Sequence, residues 1–323
     1  MTSLFEKLYS EGKISEVSLT KIKAAESQKV ISVHWDLKTL LYLGVLVTTS
    51  GLGILVYKNI DSIGHEAVIA FLALVSFGCY AYCCWKKTPF SWDKTASPST
   101  IFDYILLLSC ICFVILIGYW QFQFHIFGNR YGLETFIPML VLFFTAYFFD
   151  HLGILSLAIT NLAAWVGVVV TPSKILKEND FNSSSLIYAG SMLAILLVLL
   201  STYSSTKKIK AHFAFTYANF GMHIGYISML AGLFHFENSY LLWLFPLCGA
   251  GFYFYREAIR QQSFYTVLVI SIYSYIAMNY IVTRLFFWKM GEQGFYFLCL
   301  YFMASATGMI LLLIRMNKKL KAS

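Results

Sequence analysis

The chain has 323 residues, of which 59% are hydrophobic, 18% aromatic and only 12% charged. A soluble globular chain carries roughly 25% charged residues, so this one has too little polar surface to coat a water-soluble particle. Its net charge of +8 is orientation charge beside anionic lipid, as the loop counts below argue, and implies no nucleic-acid partner.

In chain order, residues 1–38 are polar and predict a short cytoplasmic amphipathic helical hairpin. Ser3 with Glu6 reads as a capping box, Gly12 as a helix stop, and Ser15 as the cap of a second helix reaching about Gln28. Leu4, Phe5, Leu8, Ile14, Val17 and Ile22 give it an apolar face. So small an element cannot bury a stable core alone; it leans on the membrane, on the loops or on a protein partner. The first apolar run begins near Thr39, too late for a cleavable leader, so the first span is expected to serve as the anchor.

From there apolar runs alternate with charged breaks through a membrane domain at 39–323. A bilayer core of about 30 Å takes about 20 apolar residues per helix. Ten spans are predicted, near 39–57, 67–85, 101–120, 133–149, 151–171, 186–203, 212–235, 240–256, 263–286 and 294–314. The fourth and fifth meet at Phe149-Asp150-His151, a tight hairpin turn. Ser99 or Thr100 with Asp103 caps the third. Glu134 sits in the first turn of the fourth, where the helix dipole favours an anion. Both carboxylates read as structural. Trp35, Trp85, Trp120, Trp243 and Trp288 fall near span ends, where indoles favour the interface; Trp165 is mid-span and predicts packing between helices.

Basic residues test the count. With the N-terminus inside, 18 of the 24 Lys and Arg fall on the cytoplasmic side and six on the other, the asymmetry that orients membrane helices. The fold class is therefore all-α: a polytopic bundle of about ten spans with both termini cytoplasmic. LLYLG at 40–44 and LIYAG at 186–190 share three of five letters, and five spans per half would insert the halves 39–171 and 186–314 in opposite orientations, as in many secondary transporters.

The seventh span differs from the others. On a wheel of about 100° per residue, His212, Thr216, Asn219 and His223 fall within about 60° of one another. Ala214, Ala218, Gly221, Gly225, Ser228 and Gly232 fall on the opposite side. Small residues admit close helix packing, and polar groups in hydrocarbon turn toward protein or water, so this helix is expected to be central. Beyond His223 the polar face turns apolar at Leu230 and Phe234. Two readings stay open: hydrogen bonding to neighbours, with Tyr273, Tyr275 and Tyr280 of span nine as candidate partners, or the wall of a cytoplasm-open vestibule that binds a solute.

Little else carries chemistry. The seven cysteines all lie inside apolar runs, without zinc spacing or a disulfide framework, and read as small hydrophobes. Two histidines on one helix face cannot ligate opposite sides of one haem, so no cofactor and no metal is implied. No nucleophile–base pair, H-E-x-x-H or phosphate loop appears, so no catalytic residue is assigned. Asp150-His151, at the turn between the fourth and fifth spans, is an adjacent acid–imidazole pair.

The order EGKIS, LLYLGVLVTTSGLGILVYKN and YWQFQFHIFGNRYG resembles a bacterial family of predicted membrane proteins known as domain of unknown function 2157, over roughly residues 4–170. Where that pattern has Asn-Trp after the first span and Gly-Asp after the third, this chain has Asn59-Ile60 and Gly128-Asn129. The resemblance implies a helical membrane architecture in a bacterial cytoplasmic membrane and no established activity. The expected function is non-enzymatic, with small-solute transport through the vestibule as its specific form. A sensor or assembly subunit recruiting a partner through the N-terminal hairpin is the first alternative; an enzyme acting on a lipid or quinone is the second.

Overall fold

Serine side chains cap the starts of three of this protein's long helices. In the computed structural model, which describes residues 5, 8–27, 47, 54, 58, 64–128, 132–170, 183–287 and 291–322, every main element is helical. They are α1 (Glu16–Ser27), α2 (His65–Lys86), α3 (Thr100–Phe124), α4 (Leu133–Phe149), α5 (Leu152–Val170), α6 (Ser184–Lys207), α7 (Ala214–His235), α8 (Leu244–Arg260), α9 (Phe264–Val282) and α10 (Gly291–Ala322). The predicted first span lies almost wholly outside the described residues, as do Ser3, Glu6, Trp35 and Trp288.

Gly12 takes a left-handed φ of 70°, and Ser15 Oγ accepts from the Ser18 N–H ahead of α1. Ser99, Ser183 and Ser263 cap α3, α6 and α9, each accepting a backbone N–H three residues on. Asp103 accepts from the Ser97 hydroxyl at 2.6 Å, tying the loop to the start of α3. Glu134 reaches back to the Gly132 N–H at 3.1 Å. Both acids thus hold helix starts, where free amide donors and the dipole favour them.

Residues 1–68 and 69–323 are two compact units; the helices from α2 onward carry the features below. Among the described residues six helices are long and apolar enough to cross a membrane: α2, α3, α5, α6, α9 with the π-helical turn that follows it, and residues Gly294–Leu320 of α10. α4 is a shorter apolar helix. α7 has 22 residues but is not among the six; its Asn, His and Gly residues dilute its apolar content.

Among the described residues three buried clusters form the core, and α7 belongs to the two largest. The first gathers Leu106, Leu142, Leu155, Ile159 and Leu197 with Phe213 and Tyr217. The second gathers Met222, Tyr226 and Leu233 with Leu247, Phe254 and Ile270. The small face of α7 lies against α6. A Cβ on Gly221 would stand 3.1 Å from the Ala194 carbonyl oxygen and 3.0 Å from a Val198 methyl, and one on Gly225 3.2 Å from Ala194 Cβ. Backbones approach this closely only where side chains are absent.

Gly232 is tighter still, because a Cβ there would overlap the Trp243 indole. Gly232→Ala should therefore lower stability by about 1–3 kcal/mol through overpacking, read as a shifted denaturation midpoint of the purified protein in detergent. An unchanged midpoint would mean that the indole moves aside freely.

Candidate functional site

Two polar assemblies stand out, one in the loops at one end of the bundle and one between α7 and α9. The first centres on Asp150, which closes the α4–α5 turn with a left-handed φ of 59°, a conformation Asp and Asn tolerate better than most residues. Its Oδ2 accepts from the Thr95 N–H at 2.6 Å and the Thr95 hydroxyl at 3.0 Å. Its Oδ1 lies 3.1 Å from Lys210 Nζ and 2.6 Å from His212 Nε2. The side chains of Asp150 and Lys210 are 2% and 1% exposed. Lys210 is fixed by its backbone as well: its N–H donates to Trp92 O, and its carbonyl accepts from Ser204 Oγ and the Phe213 N–H. Its ammonium lies 5.4 Å from the Phe90 ring centroid. Three loops, 87–99, the Asp150 turn and 208–213, are knotted by one carboxylate.

Burial alone would raise the Asp150 pKa, but the Thr95 N–H, Lys210, the Thr95 hydroxyl and His212 together outweigh it and hold the carboxyl below its usual value. The stability this contributes is present above the unfolded carboxylate value of about 3.9 and is lost as pH falls through the folded one. His151 points elsewhere. Its Nδ1 accepts the Ile154 N–H at 3.1 Å and caps α5, while Asp103 lies 3.9 Å from Nε2. Burial, partly opposed by Asp103, lowers its pKa. Its contribution is present above the unfolded imidazole value of about 6.5 and declines as pH falls below it. Amide exchange at Ile154, corrected for intrinsic rate, should therefore quicken as pH drops from 7 toward 5; protection independent of pH would contradict the cap.

The second assembly is an ordered chain of hydrogen bonds. Tyr265 donates its hydroxyl proton to Asn219 Oδ1 at 3.0 Å. A phenol has one proton to give, so at the 2.9 Å contact with His223 Nε2 Tyr265 accepts. His223 therefore carries its proton on Nε2 in the neutral ring. Its Nδ1 then accepts from the Tyr273 hydroxyl at 2.9 Å. The sequence Tyr273, His223, Tyr265, Asn219 is a directional relay linking α7 to α9. Tyr265 remains 43% exposed at its outer end. Tyr273 stacks at the inner end on Tyr226, with centroids 5.0 Å apart and planes 4° apart.

The structure thus divides the four residues that the wheel placed in one stripe. A 3₁₀ turn over Ala211–Phe213 precedes α7, so His212 leaves the helical register and faces Asp150. Asn219 and His223 face α9, and Thr216, one turn before Asn219, is half-buried. By sequence alone Lys210 counts only as one of the orienting charges of its loop. The available signal was that Asp150 is the only acid between Glu134 and Glu178, so once buried it needed a cation from a distant segment. Tyr265 escaped notice because it sits in the first turn of its helix, while Tyr273 was among the candidate partners.

A cavity of about 350 Å³ adjoins the small-residue side of α7, walled by Ala194, Gly221, Gly225, Trp243 and Tyr253 among others. A second, of about 580 Å³, lies between α8 and α9. Among the described residues no group of His, Cys, Asp and Glu is arranged to hold a metal ion.

Comparison with known proteins adds one match. Residues 6–155 fit the model of a family described as predicted membrane protein (DUF2157). No curated protein and no solved structure matches the chain.

Proposed function

We propose that the chain is a ten-span protein of a bacterial cytoplasmic membrane, with both termini and the hairpin of residues 1–38 in the cytoplasm, and that it passes a small polar solute along the seam between α7 and α9. The observation that carries this reading is the relay through His223, both of whose ring nitrogens are engaged by tyrosines of another helix. His223 stands nine residues into α7, about 13 Å along its axis. Polar side chains at such depth are costly and mark solute and proton pathways. The half-exposed Tyr265 with Asn219 forms the mouth; His212 and Thr216 flank it, and His223 with Tyr273 forms the inner end. Substrate contact is assigned to His212, Thr216, Asn219 and His223.

Hydrogen-bonding groups that trade one partner for another suit a neutral or zwitterionic solute, since the seam offers no uncompensated charge. Lys210 and Asp150 neutralise each other and serve as the knot that fixes the mouth. Reconstitution tests the reading. In stopped-flow osmotic shrinkage of proteoliposomes, glycerol, urea or glycine should re-enter measurably faster than in protein-free liposomes. Rates equal to the empty control for all three would refute it.

A further inference from the structure

We propose that His223 is an acid switch in the seam between α7 and α9: the neutral ring joins Tyr265 to Tyr273, and a protonated ring cuts the relay at Tyr273. What the switch controls rests on the reading of this seam as a solute path. The switch itself rests on hydrogen-bond geometry.

In the neutral relay every proton has an acceptor. Tyr265 gives its proton to Asn219 Oδ1 and accepts from His223 Nε2, while Tyr273 donates to Nδ1. An imidazolium carries a proton on both nitrogens and accepts nothing. Tyr265 goes on accepting at Nε2, in a stronger bond because its donor is then charged. Tyr273 is left with its proton facing the new Nδ1–H across a 2.9 Å contact. Among the described residues its hydroxyl bonds to nothing but His223. Tyr226, stacked on its ring, holds its own hydroxyl buried and unpartnered near Gly251 of α8. Hydrocarbon offers no water to take the proton.

No other charge acts on this ring. α5 and α9 contain no charged residue, α6 ends on Lys207, and α8 carries Arg256, Glu257 and Arg260 in its last turns. None of these influences His223. The 3₁₀ segments flanking α7 bring His212, held by Asp150, and Tyr240, held against Arg284. His235, at the far end of α7, bonds to Ser184. The titratable groups that touch His223 are Tyr265 and Tyr273. Imidazole is the side chain whose charge ordinarily changes between pH 5 and 8, so acid reaches the relay through this residue.

Nitrogen-15 NMR of the full-length, histidine-labelled protein in dodecyl maltoside tests the switch, with the His223 signals identified as those lost in His223→Gln. At pH 8 the proton should sit on Nε2, and Nδ1 should gain one as pH falls to 5. Tyr273→Phe removes a bond that only the neutral ring makes, so the midpoint should rise by about 0.4–1 unit. Tyr265→Phe removes the bond that favours the charged ring, so the midpoint should fall. A neutral ring protonated on Nδ1, an unchanged protonation state from pH 8 to 5, or a shift of either variant in the opposite direction overturns the proposal. Should one variant not fold, the sign of the other decides. In proteoliposomes, glycerol and urea should enter roughly three- to tenfold more slowly at pH 5 than at pH 8, the worth of one hydrogen bond at a barrier. Protein-dependent entry that is equal at both pH values also overturns it. Entry no faster than in empty liposomes at either pH refutes the solute path instead, and the NMR result then decides the switch alone.

Discussion

Lys210→Met should destabilise the protein by about 3–5 kcal/mol, because it leaves the Asp150 carboxylate buried without its cation. The magnitude follows from enclosure: Asp150 is 2% exposed and Lys210 1%, so water cannot replace the lost ammonium. Thr95 and His212 still donate to the carboxylate, but the neutralising charge is gone. The intact pair need not be worth that much, since taking two charges out of water offsets most of their attraction. The double variant Asp150→Asn with Lys210→Met should accordingly recover most of the loss. Denaturant unfolding of the three proteins in detergent checks this. A single variant as stable as wild type would mean that the carboxylate reaches solvent.

His223→Phe has the largest expected effect on activity. The ring keeps its volume against Tyr265 and Tyr273, yet two hydrogen bonds disappear and the relay is cut at its centre. Stability should fall by only about 1–3 kcal/mol, the worth of two ordinary hydrogen bonds. Solute entry into proteoliposomes should fall by about tenfold or more, since a lost 1.4 kcal/mol at a barrier is already a factor of ten. Tyr273→Phe, which removes only one donor, should give a smaller defect. Equal flux in wild type and His223→Phe would remove the relay from the solute path.

Helix positions were legible in the sequence because apolar runs, serine caps and the Asp150 turn are local signals. Each predicted span from the second to the tenth has its helix. The close packing of α7 was legible too, since Gly221 and Gly225 repeat at helical spacing and need a near neighbour. The partners were not. Asp150 and Lys210 are 60 residues apart, and nothing local tells a lysine that orients a loop from one that closes a buried cluster. The place of His212 was obscured for a different reason. The wheel assumed one continuous helix, and a single 3₁₀ turn rotates everything before it out of register. Tyr226 looked like one aromatic among 22 tyrosines; only packing reveals that its hydroxyl is buried and unsatisfied.

The account rests on α7 presenting Asn219 and His223 to protein while a flank such as Ile227, 57% exposed, meets lipid. Spin labels at Asn219→Cys, His223→Cys and Ile227→Cys, in a background lacking the native cysteines, test this in liposomes. Relaxation by a water-soluble nickel chelate should dominate at 219 and persist at 223, while relaxation by oxygen dominates at 227. Oxygen relaxing 219 and 223 as strongly as 227 would put both side chains in the acyl region and leave no path along the seam.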